Sequence, residues 1–307
     1  MKSQPPEPPM ERQTRAYLFG LAAVLLWSTV ASAFKLSLRH LSVDALVAWA
    51  SLVSALILAG LARIRGVPML SGWQQWQPSL LQGAINPFLY YLVLLRAYDL
   101  LPAQEAQAIN YTWAITMTLM AIFWLGQRVG WRQMLASLVC YFGVVIIATR
   151  GDLLGLHFQS PLGVGLALAS TLIWGTSWIL GLRDTAEPVA RLCGNFVCGA
   201  VYAFVWLGLR GQWAIPSAAG MLGAAYVGCF EMGLTFVLWG HALRLSRTAA
   251  QINNLIYLSP LLSLFWIGHV VGEAIQPSTL AGLACILVGT AIQRLSDRHL
   301  KSTEHHA

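Results

Sequence analysis

Ten apolar runs, each of about twenty residues, follow one another along the chain with short links between them. A bilayer core about 30 Å thick needs roughly 20 apolar residues per helix, so each run is predicted to be a membrane-spanning helix. The runs are Ala16 to Leu38, Val43 to Arg63, Ser79 to Tyr98, Pro102 to Leu125, Trp131 to Thr149, Pro161 to Arg183, Pro188 to Gly208, Ser217 to Leu243, Thr248 to Val271, and Pro277 to Leu295. The links leave no room for a soluble catalytic or nucleotide-binding domain. Alternating segments of about ten residues, which would mark a membrane barrel, do not occur. Of 307 residues, 57% are hydrophobic and 10% charged, against roughly 45–50% and about 25% in soluble domains. The expected class is therefore all-α integral membrane, with the lipid bilayer as its solvent.

The 19 Lys and Arg exceed the 12 Asp and Glu, for a net charge of +7. They sit singly or in pairs between the apolar runs, not in a patch, so they read as contacts to water and anionic headgroups and not to nucleic acid. If the amino terminus is cytoplasmic, 14 of the 19 fall on the inner side, among them Arg63, Arg65, Arg128, Arg183 and Arg247, while Lys35, Arg39, Arg96, Arg150 and Arg210 fall outside. By the positive-inside rule both termini are expected in the cytoplasm. Residues 1–15 are polar and rich in proline, and the run that follows is too long for a signal peptide and has no A-x-A-like cleavage site. They and residues 296–307 are expected to be cytoplasmic tails, the first one disordered. Cys140, Cys193, Cys198, Cys229 and Cys285 lie in or beside apolar runs without metal-ligand spacing. They read as packing residues, and nothing in the chain calls for a cofactor or metal.

The chain also repeats itself. L-A-A-V-L-L-W-S-T (Leu21 to Thr29) returns 147 residues later as L-A-S-T-L-I-W-G-T (Leu168 to Thr176), with five of nine positions identical. F-W-L-G-Q-R-V-G (Phe123 to Gly130) returns as F-W-I-G-H-V-V-G (Phe265 to Gly272), with five of eight. Both pairs link run n with run n+5. The domains are then 16–150 and 161–295. Five is odd, so the second half is expected to enter the membrane upside down, as in the inverted repeats of secondary transporters, with a substrate site near the midplane between the halves.

Polar groups inside the runs locate that site, because an ionisable group in hydrocarbon costs at least a few kcal/mol (about 2.5–3.5). Glu231 stands mid-way along the eighth run, and an offset of 145 places it opposite Asn86 in the third. Two readings stand for Glu231: substrate or proton binding, or a protonated or paired carboxyl that ties helices together. Pro87 and Pro260 remove helical hydrogen bonds and can kink the third and ninth runs. Glu105, Gln107, Asn110, Tyr111, Thr112 and Trp113 cluster in the fourth run; Gln251, Asn253, Asn254, Tyr257 and Ser259 cluster at matching depth in the ninth. Hydrogen bonding between helices is the plainer role for the amides, but it does not require the aromatic residues beside them.

Trp73, Trp76, Trp131 and Trp213 lie near run ends and fit the interfacial belts. Tyr90, Tyr111, Trp113, Trp174 and Trp178 lie deeper, and Trp174 and Trp178 share a helix face at i, i+4. An aromatic-walled cavity with a few amides suits a flat, partly apolar solute with polar ends. Lys35, with Ser28 and Ser32 on a similar face, either attracts a carboxylate or snorkels to the headgroups. Ala281, Cys285 and Gly289, with Ala136 and Cys140 in the fifth run, form small-residue stripes suited to close helix packing or to a homodimer.

The five-plus-five arrangement, W-S-T and W-G-T in the first and sixth runs, and the G-x-x-x-G links after the fourth and ninth resemble the EamA type of the drug/metabolite transporter superfamily. Within it, E-A-Q-A-I-N-Y-T-W (Glu105 to Trp113) is similar to the fourth helix of aromatic amino-acid exporters, with Asn110, Tyr111 and Trp113 matching; Tyr90 and Trp174 fall on aromatic positions of their cavity. The resemblance implies export of Phe, Tyr and Trp, or of amphipathic metabolites and drugs, across a bacterial inner membrane. It departs in the third run, where Tyr91 stands in place of an expected acidic residue and Asn86-Pro87 lies outside the pattern. No G-x-x-x-x-G-K-[ST] occurs, which excludes an ATP-driven pump within the chain. An intramembrane enzyme lacks H-E-x-x-H and G-x-S-x-G, and a channel is the remaining alternative.

Overall fold

The computed structural model of the chain describes residues 9–125, 131–154, 160–181, 184–213, 215–247 and 249–304. Among these residues every regular element is helical. The first run is α1 (Pro9–Ser28) and α2 (Val30–Leu38), and the second is α3 (Val43–Ile64). The third is α4 (Trp73–Gly83), a π-helical segment (Ala84–Leu89) and α5 (Tyr90–Leu100). The fourth breaks at Tyr111–Thr112 into α6 (Ala103–Asn110) and α7 (Trp113–Leu125). The fifth, sixth and seventh are α8 (Trp131–Ala148), α9 (Pro161–Gly181) and α10 (Pro188–Leu209). The eighth is α11 (Ala218–Tyr226), a second π segment (Val227–Leu234) and α12 (Thr235–Leu245). The ninth joins α13 (Ala249–Asn253), a 3-10 turn (Asn254–Tyr257), α14 (Leu258–Trp266) and a third π segment (Ile267–Val271), and the tenth is α15 (Pro277–Glu304).

Seven helices among the described residues are long and apolar enough to cross a membrane: Met10–Leu38, Val43–Ile64, Trp73–Leu100, Pro161–Gly181, Pro188–Leu209, Ala218–Leu245 and Gln251–Val271. Met134–Ala148 and Pro277–Ile292 are shorter apolar helices. Side-chain caps set several starts. Ser42 accepts from Ala45 N–H (3.3 Å), Ser217 from Gly220 N–H (3.2 Å), and Glu187, ahead of Pro188, from Val189 and Ala190 N–H (2.7 and 2.9 Å). At the fourth run Thr112 turns its hydroxyl back to Ile109 O (2.8 Å) and its N–H closes an i−3 bond to the same carbonyl, which breaks the single helix read from the sequence. Residues 9–15, expected in a disordered tail, are the first turns of α1, and residues 296–304 continue α15, while 1–8 and 305–307 lie outside the described residues.

Helix packing repeats the internal symmetry. α1 packs on α12 and α14, and its repeat-equivalent α9 packs on α5 and α7; α3 meets the π segment of the eighth run as α10 meets that of the third. Two pairs map onto themselves, α3 with α10 and α8 with α15. In the first, Trp206 Nε1 donates to Asp44 Oδ1 (3.2 Å) while Cys193 Sγ reaches Ala55 O (3.6 Å). In the second, Gly143 faces Gly282 and Ala136 faces Gly289. Counting forward along one helix is counting backward along its partner, so α3 runs antiparallel to α10 and α8 to α15.

The α8–α15 contact is also the close packing foreseen for the small-residue stripes, with one position changed. Ala281 is exposed and Gly282 takes its place, with Gly289 against Cys140 and Gly143 against Cys285. A Cβ on Gly282 would stand 2.5 Å from Gly143 O, a backbone atom that cannot move aside. Gly282→Val is therefore expected to destabilise the protein by about 1–3 kcal/mol of overpacking, read as a thermal midpoint several degrees lower in detergent. An unchanged midpoint would mean that these helices are not in contact.

Candidate functional site

The two longest π segments carry the polar residues singled out in the third and eighth runs. Asn86 lies in Ala84–Leu89 with φ −145° and ψ 116°, outside the helical region, and its bond to Pro87 is cis. Glu231 lies in Val227–Leu234, at the equivalent place in the other half. A π segment holds an extra residue in the turn and leaves backbone groups without their usual partners, an arrangement frequent at functional sites. Gly199 and Gly228 let the segments pack closely: a Cβ on Gly228 would collide with Ala50 O, and one on Gly199 with the ring of Pro87.

Beside Glu231 of the second segment lies a chamber of about 120 Å³ whose wall also includes Tyr90, Asn110, Tyr111, Trp113 and Trp174. Six of the residues predicted from sequence thus meet at one place. Asn110 is fixed by donating from Nδ2 to Ser170 Oγ (2.9 Å), and Tyr91 donates its hydroxyl to Glu231 Oε1 (3.1 Å). Tyr91, where the resemblance leads one to expect an acid, instead holds the carboxylate that the eighth run supplies. Glu231 is the one carboxylate on the chamber wall, which carries no Lys or Arg among the described residues.

Aromatic rings close the rest of the wall, two pairs of them crossing between the halves. Trp27 meets Phe236 (centroids 5.6 Å), and its repeat-equivalent Trp174 meets Tyr90 (4.9 Å). Phe34 packs edge-on against Tyr98 (5.1 Å) toward the end that holds residues 39–42 and 272–276. Trp174 and Phe236 (5.9 Å) border a second cavity of about 350 Å³ on the opposite side, toward residues 184–191. Asn86 and Trp178 line this second cavity, the vestibule, and not the chamber.

Three predicted residues are not brought in. Gln251 and Asn254 are exposed, and Tyr257 lines neither cavity; from the ninth run Ile256 reaches the chamber instead. The 3-10 turn at Asn254–Tyr257 explains this, because it advances about 120° per residue against about 100° in an α-helix and so changes which side chains face inward. The sequence reading also missed Trp27, Phe34, Tyr98 and Phe236. Trp27 had a usable signal, since it aligns with Trp174 in the repeat.

Glu105 lies away from the chamber, in a polar seal at its far end. Its side chain, 3% exposed, pairs with Arg150 Nε at 2.8 Å. Beside it the Glu273 carboxylate caps the start of α6, accepting from Ala103 N–H (2.9 Å) and Gln104 N–H (3.5 Å). Gln104 donates to Ala274 O and accepts from Gln276 N–H, both at 2.9 Å. Arg39 donates to Val271 O (3.1 Å). Lys35 lies in the last turn of α2, one turn before Arg39. The five cysteines are unpaired.

The profile of the EamA-like transporter family matches residues 14–149 and again residues 161–294. The aromatic amino acid exporter YddG of Ancylobacter novellus is 26% identical over 298 residues, which cover 93% of this chain and 99% of that protein. A probable terminal-alkyne amino-acid exporter of Streptantibioticus cattleyicolor is 26% identical over 235 residues, covering 75% and 74%. A solved crystal structure aligns with a TM-score of 0.66 at 23% identity over 94% of this chain and 99% of the other, a likeness of fold.

Proposed function

The chain belongs to the EamA-like transporter family, a multi-pass membrane protein that moves a small molecule, and from that premise we propose that it exports aromatic amino acids, and related amphipathic solutes, by alternating access. The observation that carries this reading is the aromatic, amide-bearing chamber, in a chain whose paired repeat-equivalents α3/α10 and α8/α15 run antiparallel. Ten spans in two inverted sets of five, 16–150 and 161–295, are consistent with that packing. Relatives named as amino-acid exporters support the substrate class.

With both termini in the cytoplasm, as the Lys and Arg distribution favours, the vestibule lies on the inner side and the Glu273–Gln104 and Arg150–Glu105 contacts lie on the outer side. The protein is then closed outward, with the way to the chamber from the cytoplasm narrowed by Trp174 and Phe236. Export proceeds as the outer contacts part and the rings close behind the solute. Stacking between Tyr90, Trp113 and Trp174 receives a flat side chain. Asn110 and the tyrosine hydroxyls offer neutral donors, and Glu231 takes the ammonium or a proton.

The test is flux in proteoliposomes preloaded with one solute at a time, with and without a pH gradient. Saturable release of phenylalanine, tyrosine or tryptophan supports the proposal, and its absence for all three removes it. A channel would instead give flux linear in concentration. Glu231→Gln is expected to abolish any pH dependence of the flux, since it keeps the shape of the group and removes its proton; a retained pH response would assign Glu231 to structure.

A further inference from the structure

The vestibule has the volume and the charge pattern that the chamber lacks. At about 350 Å³ it falls within the range of small-molecule sites, about 300–1,000 Å³, whereas the chamber at about 120 Å³ does not. Among the described residues its wall holds one anion and one cation, Asp184 and Arg191. They pair with each other while largely buried, with side-chain exposures of 14% and 12%. Arg191 is held in place by donating to Gln75 O (2.6 Å) and Ser79 Oγ (2.9 Å), and Asp184 by accepting from Ala186 N–H (2.9 Å). Across from them stand Trp174 and Trp178 (6.4 Å between rings), and Asn195 Oδ1 is buried without a hydrogen-bond partner on the same wall.

We propose that Asp184 and Arg191 form an entrance subsite for the zwitterionic head of an α-amino acid, the ammonium on Asp184 and the carboxylate on Arg191, with the side chain laid against Trp174 and Trp178. This deepens the reading of the protein as an amino-acid exporter and rests on it. The reason is charge balance. Asp184 and Arg191 together are neutral, and so is the zwitterion, which lies beside them as a second, antiparallel ion pair. A lone ammonium or a lone carboxylate would leave net charge in a poorly hydrated place, where desolvation is costly. With Nε on Asp184 and Nη1 on Gln75 and Ser79, Nη2 of Arg191 is the guanidinium nitrogen left to donate to a carboxylate. The pair therefore selects amino acids before the aromatic chamber selects side chains.

The experiment is calorimetric binding to the purified full chain in lipid nanodiscs, with L-phenylalanine, phenylethylamine and 3-phenylpropionate, which share one ring and differ in charged groups. The wild type is expected to bind phenylalanine most tightly. Arg191→Gln is expected to weaken phenylalanine on the order of tenfold and to leave phenylethylamine unchanged or tighter. Asp184→Asn is expected to weaken phenylalanine similarly and to spare 3-phenylpropionate. Arg191→Lys, which keeps the charge and loses the separate Nη2 donor, should fall between wild type and Arg191→Gln and serves if the latter does not fold. Equal losses for all three ligands, or no loss, would overturn the subsite while leaving the exporter reading intact. Failure of the wild type to bind phenylalanine at all would overturn both.

Discussion

Trp174→Ala is expected to lower saturable phenylalanine flux by at least about tenfold while the protein remains folded. Trp174 touches Tyr90, Trp178 and Phe236 and borders both cavities, so a solute passing from one to the other crosses its ring. Truncating an aromatic anchor of this kind costs about 2 kcal/mol or more of binding, and about 1.4 kcal/mol is a factor of ten. The indole is only partly buried, so its loss does not empty the core, which a monodisperse elution profile would verify. Trp113→Ala, on the chamber wall alone, should reduce flux less. Saturable flux unchanged in both variants would remove the chamber from the transport path.

Glu273→Ala is expected to open the end of the molecule opposite the termini. The carboxylate is the acceptor for two backbone N–H groups at the start of α6, and hydrogen bonds to charged groups contribute about 1.5–3 kcal/mol each. Their loss shifts the balance between closed and open states by about tenfold or more. The measurement is labelling of an Ala31→Cys reporter, which lines the chamber and is 1% exposed, by an impermeant maleimide applied from that side, with the native cysteines replaced. Labelling about tenfold faster in the Glu273→Ala background is the expected result. An unchanged rate would show that the Glu273 cap does not hold this end closed.

Much of this architecture was legible without coordinates, because apolar length and internal repetition are both one-dimensional signals. The W-S-T and W-G-T pair foretold that Trp27 and Trp174 occupy equivalent places, and the offset of 145 set Glu231 against Asn86; the structure puts each of these last two in a π segment. In the tenth run's small-residue stripe, Cys285 and Gly289 lie at the α8 contact as read, while Gly282 takes the place read for Ala281. In a helix hydrophobic all round, periodicity no longer tells which face is inward. The same ambiguity hid Phe34, Tyr98 and Phe236, since an aromatic residue that faces lipid and one that faces a cavity look alike in a string of letters.

Local breaks decided the remainder. Gln251, Asn254 and Tyr257 matched the fourth-run cluster in depth, but the 3-10 turn through Asn254–Tyr257 re-phased their helix. Glu105 had been grouped with Asn110 on one run; five residues apart on α6, it reaches Arg150 near the helix start while Asn110 reaches Ser170 near its end. The pairing of Asp184 with Arg191 and the capping of α6 by Glu273 could not be read at all. What the sequence by itself determined is the solvent of this protein, its helical class and its twofold repetition, since bilayer thickness and backbone hydrogen bonding leave a long apolar run no other form. Which polar groups share a cavity and which close an end was decided only by the tertiary structure, because hydrogen bonds and ion pairs depend on ångström-scale distances between residues as far apart as Gln104 and Gln276.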